Sequence, residues 1–282
     1  MRRSGRPPGI IGTLPTAQTE TLLDRTGRRV VEMALLSRAL GAFALISLSV
    51  MLIRRDSTRR VMRPLIRARI HDSGFRLLPL ISLLGVALGL LVIAQTTALL
   101  TRLGAQSYVG TIMVTVVVRE LGPLLTAIVV LARAGTANVV ELGTLRALGE
   151  IRALESLGID PVHYLVMPRM IGLAVATFSL NVYLILTALL SGYLFAFLQG
   201  VPIKPAAYAG QVGDALIWQD FPLLGLKTLA FGAAIAVVNC YQGLAQPLDH
   251  DDVAEVTARA VVQSLAACVI LDALFLVGYV FV

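Results

Sequence analysis

Five apolar runs punctuate the chain, each long enough to cross a bilayer whose ~30 Å hydrocarbon core takes about 20 helical residues. They are Leu77–Leu100, Tyr108–Leu131, Val166–Leu198, Phe221–Leu244 and Val256–Val282. An earlier apolar stretch, residues 30–53, is interrupted by Glu32 and Arg38. It keeps about 15 uninterrupted apolar residues, short of a span, and reads as an interfacial helix. Residues 1–28 carry Pro7, Pro8, Gly9, Gly12 and Pro15 without a helical period and are expected to be a disordered tail. The organisation that follows is a tail (1–28), an interfacial helix with a basic segment (29–76) and a transmembrane domain (77–282). The fold class is an all-α integral membrane protein.

Composition agrees with this pattern. The 282 residues are 57% hydrophobic and 15% charged, against about 45–50% and about 25% in soluble domains. The net charge of +7 does not indicate a nucleic-acid partner, because the cations flank apolar runs, as topology and anionic headgroups require. Cys240 and Cys268 lie within apolar runs, and His71, His163 and His250 are scattered. No metal-ligand spacing results.

The arginines orient the chain. Arg54, Arg55, Arg59, Arg60, Arg63, Arg67, Arg69 and Arg76 precede the first span and should stay cytoplasmic. That assigns 133–164, with Arg133, Arg146 and Arg152, to the inside, and 102–107 and 199–220, with only Arg102 and Lys204, to the outside.

Charges inside the spans are costly and mark functional positions. Arg119 and Glu120 lie about 12 residues into the second run, roughly 18 Å down and past the midplane. They precede Gly122-Pro123, which reads as a break. Neighbours on a helix point about 100° apart, so each needs a partner on another helix, or water. Lys227, roughly 9 Å from the outer face, and Asp272, roughly 24 Å from the inner one, reach similar depth and are expected to pair across helices or to share a cluster with Asp220. Asn181 and Asn239 read as interhelical hydrogen bonds, and Gly85 and Gly89 as a close helix contact.

The inner loop is helix-compatible over 141–157. Leu142, Leu145, Leu148, Leu154 and Leu157 alternate with Glu141, Arg146, Glu150, Arg152 and Glu155, and Arg146/Glu150 and Arg152/Glu155 have pairing spacings. Such a leucine face calls for a membrane surface or a partner protein to cover it. Gly225-Leu226-Lys227-Thr228 lacks the Gly-Lys pair of a phosphate-binding loop, so ATP-driven work would need an ATPase on another polypeptide.

The run from Gln95 through Gly104, Tyr108, Arg119-Glu120-Leu121-Gly122-Pro123, Ala132-Arg133-Ala134-Gly135, Glu141-Leu142-Gly143-Thr144, Leu157-Gly158-Ile159-Asp160-Pro161 and Pro168-Arg169 resembles the MlaE/YrbE permeases of ABC-type lipid transporters. The resemblance spans about residues 30–282. It implies a homodimeric permease of a bacterial inner membrane with a cytoplasmic N-terminus, five spans and an interfacial helix. Implied partners are an MlaF-type ATPase, which would hold ATP and Mg, an MlaB-type STAS protein, an MlaD-type MCE-domain carrier, and phospholipid. By the same analogy Arg119, Glu120, Asp220, Lys227 and Asp272 form a polar network of the transport cavity, and Val92, Leu100 and Leu103 contact lipid tails. Residues 141–157 would be the coupling helix on the ATPase. No cofactor is expected in this chain.

Two readings from other classes stay open on the residues alone. A proton-coupled secondary transporter would use Glu120 as carrier. An intramembrane protease or lipid-modifying enzyme would need a nucleophile with a base, or a metal cluster, at membrane depth. No histidine or serine supplies that convincingly.

Overall fold

The computed structural model describes residues 38–46, 49, 59–104, 108–198, 204–245 and 253–281. The chain divides into residues 1–41 and residues 42–282. A short helix, α1, covers 38–46. The expected tail, the rest of the interfacial helix up to residue 37, and the acidic connection 246–252 lie outside the described residues. Within the second unit Phe43 meets Tyr241 edge-on, 5.8 Å between ring centroids.

Among the described residues five helical segments are long and apolar enough to cross a membrane: Arg63–Leu100, Val109–Ala147, Val162–Leu198, Asp220–Leu244 and Ala254–Tyr279. They coincide with the five apolar runs, but the first two are far longer. From Arg59 onward the basic segment is helical: α2 (Arg59–Gly74) passes through one tighter turn, Phe75–Leu77, into α3 (Leu78–Leu103). Arginine is a good helix former, and the helix runs on through Pro64, which lies inside it.

The second span also runs on. It comprises α4 (Val109–Met113), a widened π-helical turn Val114–Leu121, α5 (Gly122–Val130), a second widened turn Leu131–Gly135, and α6 (Thr136–Ala147). Gly122-Pro123 does not break it, correcting the sequence expectation. Proline cannot donate to the carbonyl four residues back, and the π-helical turn before it, bonded with longer spacing, absorbs the defect. Its 39 residues make a rod of about 58 Å, nearly twice the hydrocarbon thickness. Much of the expected inner loop is therefore helix.

That helix stops where Gly149 adopts φ 76°, the left-handed conformation that glycine takes without penalty at a helix C-terminus. A separate short helix, α7 (Glu150–Ser156), follows. The single helix expected over 141–157 is thus two, and Arg146 and Glu150 fall on opposite sides of the break. Arg146 donates instead to the carbonyl of Leu244.

The longest helix, α8 (Met167–Leu198), is preceded by a widened turn, Val162–Val166. It packs against α2, α3, α5 and α10 (Asp220–Ala245). Gly85 and Gly89 allow α3 to close on it: a Cβ at either would collide with Thr187 Oγ1 or with the Ala188 carbonyl. The last helix, α11 (Val253–Phe281), lies on α10, α5 and α6. The 199–220 connection holds a short helix, α9 (Pro205–Ala215), with Pro205 in its first turn. It stands beside α4, where Gly110 N donates to Gln211 Oε1 at 3.2 Å.

Candidate functional site

The widened turn Val114–Leu121 carries Arg119 and Glu120, and α10 and α11 bring their partners. Lys227 is 1% exposed, with Nζ 2.6 Å from Asp272 Oδ1, the cross-helix pair expected from depth, and 3.5 Å from Glu120 Oε2. It also donates to the carbonyl oxygen of Arg119 at 2.9 Å. Proline at 123 leaves that carbonyl without its normal helical donor. The lysine ammonium hydrogen-bonds the Arg119 carbonyl and Glu120 and meets Asp272 as an ion pair.

Asp220 does not join Lys227. It lies two turns earlier on α10 and pairs with Arg119, Nη2 to Oδ2 at 2.9 Å. The same carboxylate oxygen accepts from Ile217 N at 2.9 Å, a favourable place for negative charge at a helix N-terminus. Arg119 Nη2 also donates to the Ala215 carbonyl at 3.3 Å, and its guanidinium lies 5.7 Å from the centre of the Tyr279 ring. The network thus has an upper layer (Arg119, Asp220, Tyr279) and a lower one (Glu120, Lys227, Asp272).

These contacts set Arg119 beside the end of α9 and the first residue of α10.

An apolar pocket of about 220 Å³ adjoins Asp220, lined by Val118, Ile185, Leu186, Phe221 and Leu224 among others. A second apolar groove of about 480 Å³ continues along α8 beneath α9. At its edge burial pushes the Tyr208 phenol up to about 12, so it remains protonated and donates to the Leu189 carbonyl at 3.4 Å. Neither cavity was foreseen, since each is made by helices far apart in the chain.

The residues expected to contact lipid tails are elsewhere. Val92 and Leu100 are buried in the protein core and only Leu103 is open, at 69% exposure. An apolar face on α3 could not distinguish lipid from α8.

The expected coupling residues divide. Leu142 is fully buried with Val166 and Cys240. Glu141 is held by two arginines: Arg69 donates from Nη1 and Nη2 to its two oxygens at 2.7 and 2.6 Å, and Arg169 Nη2 lies 2.9 Å from Oε1. Glu141 therefore clasps α2, α6 and α8 together, which the sequence reading missed. Its position between Val139, Val140 and Leu142 was the available signal. Glu150, Arg152, Glu155, Leu148 and Leu157 are exposed, the last two at 60% and 74%, while Leu145, Arg146 and Leu154 are half-buried. Leu145, Ile151, Leu154, Leu157, Tyr164 and Leu165 line a groove of about 350 Å³.

Asn181 Oδ1 and Asn239 Oδ1 accept interhelical hydrogen bonds from Thr126 (3.4 Å) and Ser264 (3.3 Å). Both cysteines are buried.

Residues 66–277 match the family model Permease MlaE. The chain is 28% identical over 248 residues to a probable ABC transporter permease protein of Rickettsia conorii, covering 86% of this chain and 92% of that one. It is 36% identical over 170 residues to a probable ABC transporter permease protein of Synechocystis sp., covering 58% and 62%. To the intermembrane phospholipid transport system permease protein MlaE of Haemophilus influenzae it is 24% identical over 210 residues, covering 74% and 80%. With five spans, an intramembrane ion network and a family match over most of its length, the chain belongs to the MlaE permease family and is a multi-pass, non-catalytic permease subunit of an ABC transporter.

Proposed function

We propose that this permease moves phospholipid or a related lipid between a bacterial inner membrane and a periplasmic carrier. It would do so as a homodimer, with the α9 end facing the periplasm and the N-terminus in the cytoplasm. The observation that carries the reading is the two-layer network: two cations and three carboxylates from three spans, gathered beside the apolar pocket at Asp220. An amphiphile needs both environments together. A phosphate headgroup can exchange for Asp220 on Arg119, since guanidinium binds carboxylate and phosphate alike, while acyl chains occupy the apolar grooves. The phospholipid named for the Haemophilus relative is consistent with this, and the excess of arginine near α2 and α7 supports the orientation.

An ABC permease works with an ATPase. The exposed groove at α7 is the surface we assign to a cytoplasmic MlaF-like subunit holding ATP and Mg, with Leu148, Leu154, Leu157, Glu150, Arg152 and Glu155 in contact. An MlaB-like STAS protein and an MlaD-like MCE-domain protein complete the assembly. In this scheme residues 77–282 are the permease domain and residues 29–76 its interfacial and basic lead-in.

Co-purification from the native membrane, with mass spectrometry of bound proteins and lipids, tests the partners. Lipid transfer that requires the ATPase subunit and nucleotide supports the reading. Transfer by the isolated chain under a proton gradient, with Glu120 as carrier, would replace it.

A further inference from the structure

A cleft of about 690 Å³ separates α2 from the second span, lined by Arg69, Arg76, Leu77, Arg133, Asn138 and Glu141 among others. The two rods run antiparallel, so Arg69 faces Glu141 and Arg76 comes level with Arg133. The Arg69–Glu141 pair closes one end. Of the three arginines it is the one whose charge is tightly matched.

The other two are poised for an anion. Arg133 is exposed, and among the described residues no side chain pairs with it. Arg76 makes a loose pair with Asp72, 3.5 Å apart and with both side chains half-exposed or more, a contact of little strength in water. Both stand at one boundary in the sequence: Arg76 immediately precedes the apolar run from Leu77, and Arg133 comes two residues after the run ending at Leu131. That boundary is where a span leaves hydrocarbon for headgroups. The widened turn Leu131–Gly135 carries Arg133, and Ala132, Ala137 and Val140 give the same cleft an apolar wall.

We propose that this cleft binds the phosphate group of an anionic lipid drawn from the leaflet at the α7 end, with Arg76 and Arg133 as its cations and the alanine-rich wall against the glycerol and upper acyl chain. Arg133 is fourteen residues beyond Arg119, about 21 Å along a helix, so the site is separate from the ion network. The inference does not rest on the transport reading: either can fail without the other.

The test uses the full chain in phosphatidylcholine nanodiscs doped with photoactivatable phosphatidic acid, or with a matched phosphatidylcholine probe, and maps labels by mass spectrometry. Phosphatidic acid should label Leu77 and the 132–140 peptide roughly thirtyfold more than the neutral probe, the scale expected of two juxtamembrane arginines. R76Q/R133Q should remove that excess. A137W should do the same by filling the cleft with both arginines in place, which separates occupancy from a general charge effect. Excess inorganic phosphate should leave lipid labelling intact. Displacement by phosphate without preference among lipids would assign the site to a soluble phosphoryl group and overturn the lipid source. Equal labelling by both probes, or labelling unchanged in both variants, would overturn the site. So would cross-links from the cleft to carboxylates of a co-purified protein, which would make it a protein interface.

Discussion

Lys227 Nζ donates to the main-chain carbonyl of Arg119 at 2.9 Å, the carbonyl to which Pro123 cannot donate. The proline and the lysine therefore explain each other: one frees an acceptor inside the bundle and the other occupies it while neutralising Asp272 and Glu120. Removing the lysine alone strands two carboxylates. Lys227→Met should destabilise the protein by about 3–5 kcal/mol, the cost of breaking a buried ion pair. Lys227→Met with Asp272→Leu should recover part of that loss. Thermal unfolding in detergent reads both, and a double variant no more stable than the single one would show that Asp272 is not the principal partner.

The glycine pair on α3 separates two kinds of collision. A Cβ at Gly85 meets the Thr187 hydroxyl most closely, which can rotate, with the Leu184 carbonyl 3.1 Å away, whereas one at Gly89 runs into the Ala188 main-chain carbonyl itself, which cannot move aside. Gly89→Ala should cost about 1–3 kcal/mol, the usual range for overpacking, and Gly85→Ala distinctly less. A Gly89→Ala variant that unfolds at the temperature of the unaltered chain would contradict the α3–α8 contact.

Glu141 and Leu148 test which part of the loop is structural. Glu141→Ala leaves Arg169, 2% exposed, without its carboxylate and should cost about 3–5 kcal/mol. Leu148→Asp with Leu157→Asp, both on the surface, should change stability by no more than about 0.5 kcal/mol per site yet weaken ATPase co-purification. Full ATPase retention in that double variant would remove the docking assignment from the α7 groove.

These outcomes also explain what the chain revealed in advance. The five spans were legible because length and hydropathy alone decide whether a helix can cross. The Lys227–Asp272 pair was legible because two continuous α-helices obey a simple rise. The pairing of Arg119 with Asp220 was not legible, because its helix contains a π-helical turn and begins beside α9, neither of which leaves a pattern in apolar spacing. The clasp of Arg69, Glu141 and Arg169 joins residues about 70 and 30 apart in sequence, and three helices had to be assembled before it existed. Val92 and Leu100 were misread because a lipid-facing leucine and one facing another helix have the same composition.

Asp220→Asn keeps an oxygen for Ile217 N but removes the charge that holds Arg119. The fold should survive, and lipid transfer should fall about tenfold or more, the equivalent of one charge-assisted hydrogen bond. Transfer at the unmodified rate would place Arg119 outside the transport cycle.

The central claim is that the charged block of the second span serves lipid movement and not only helix packing. The most direct measurement is ATP-dependent transfer of a fluorescent phospholipid from proteoliposomes holding the permease with its ATPase, comparing the unaltered chain with Glu120→Arg. Glu120 is partly exposed beside Lys227, so reversal of its charge should abolish transfer while the permease still assembles as a dimer with bound ATPase. Full transfer by Glu120→Arg would contradict the account.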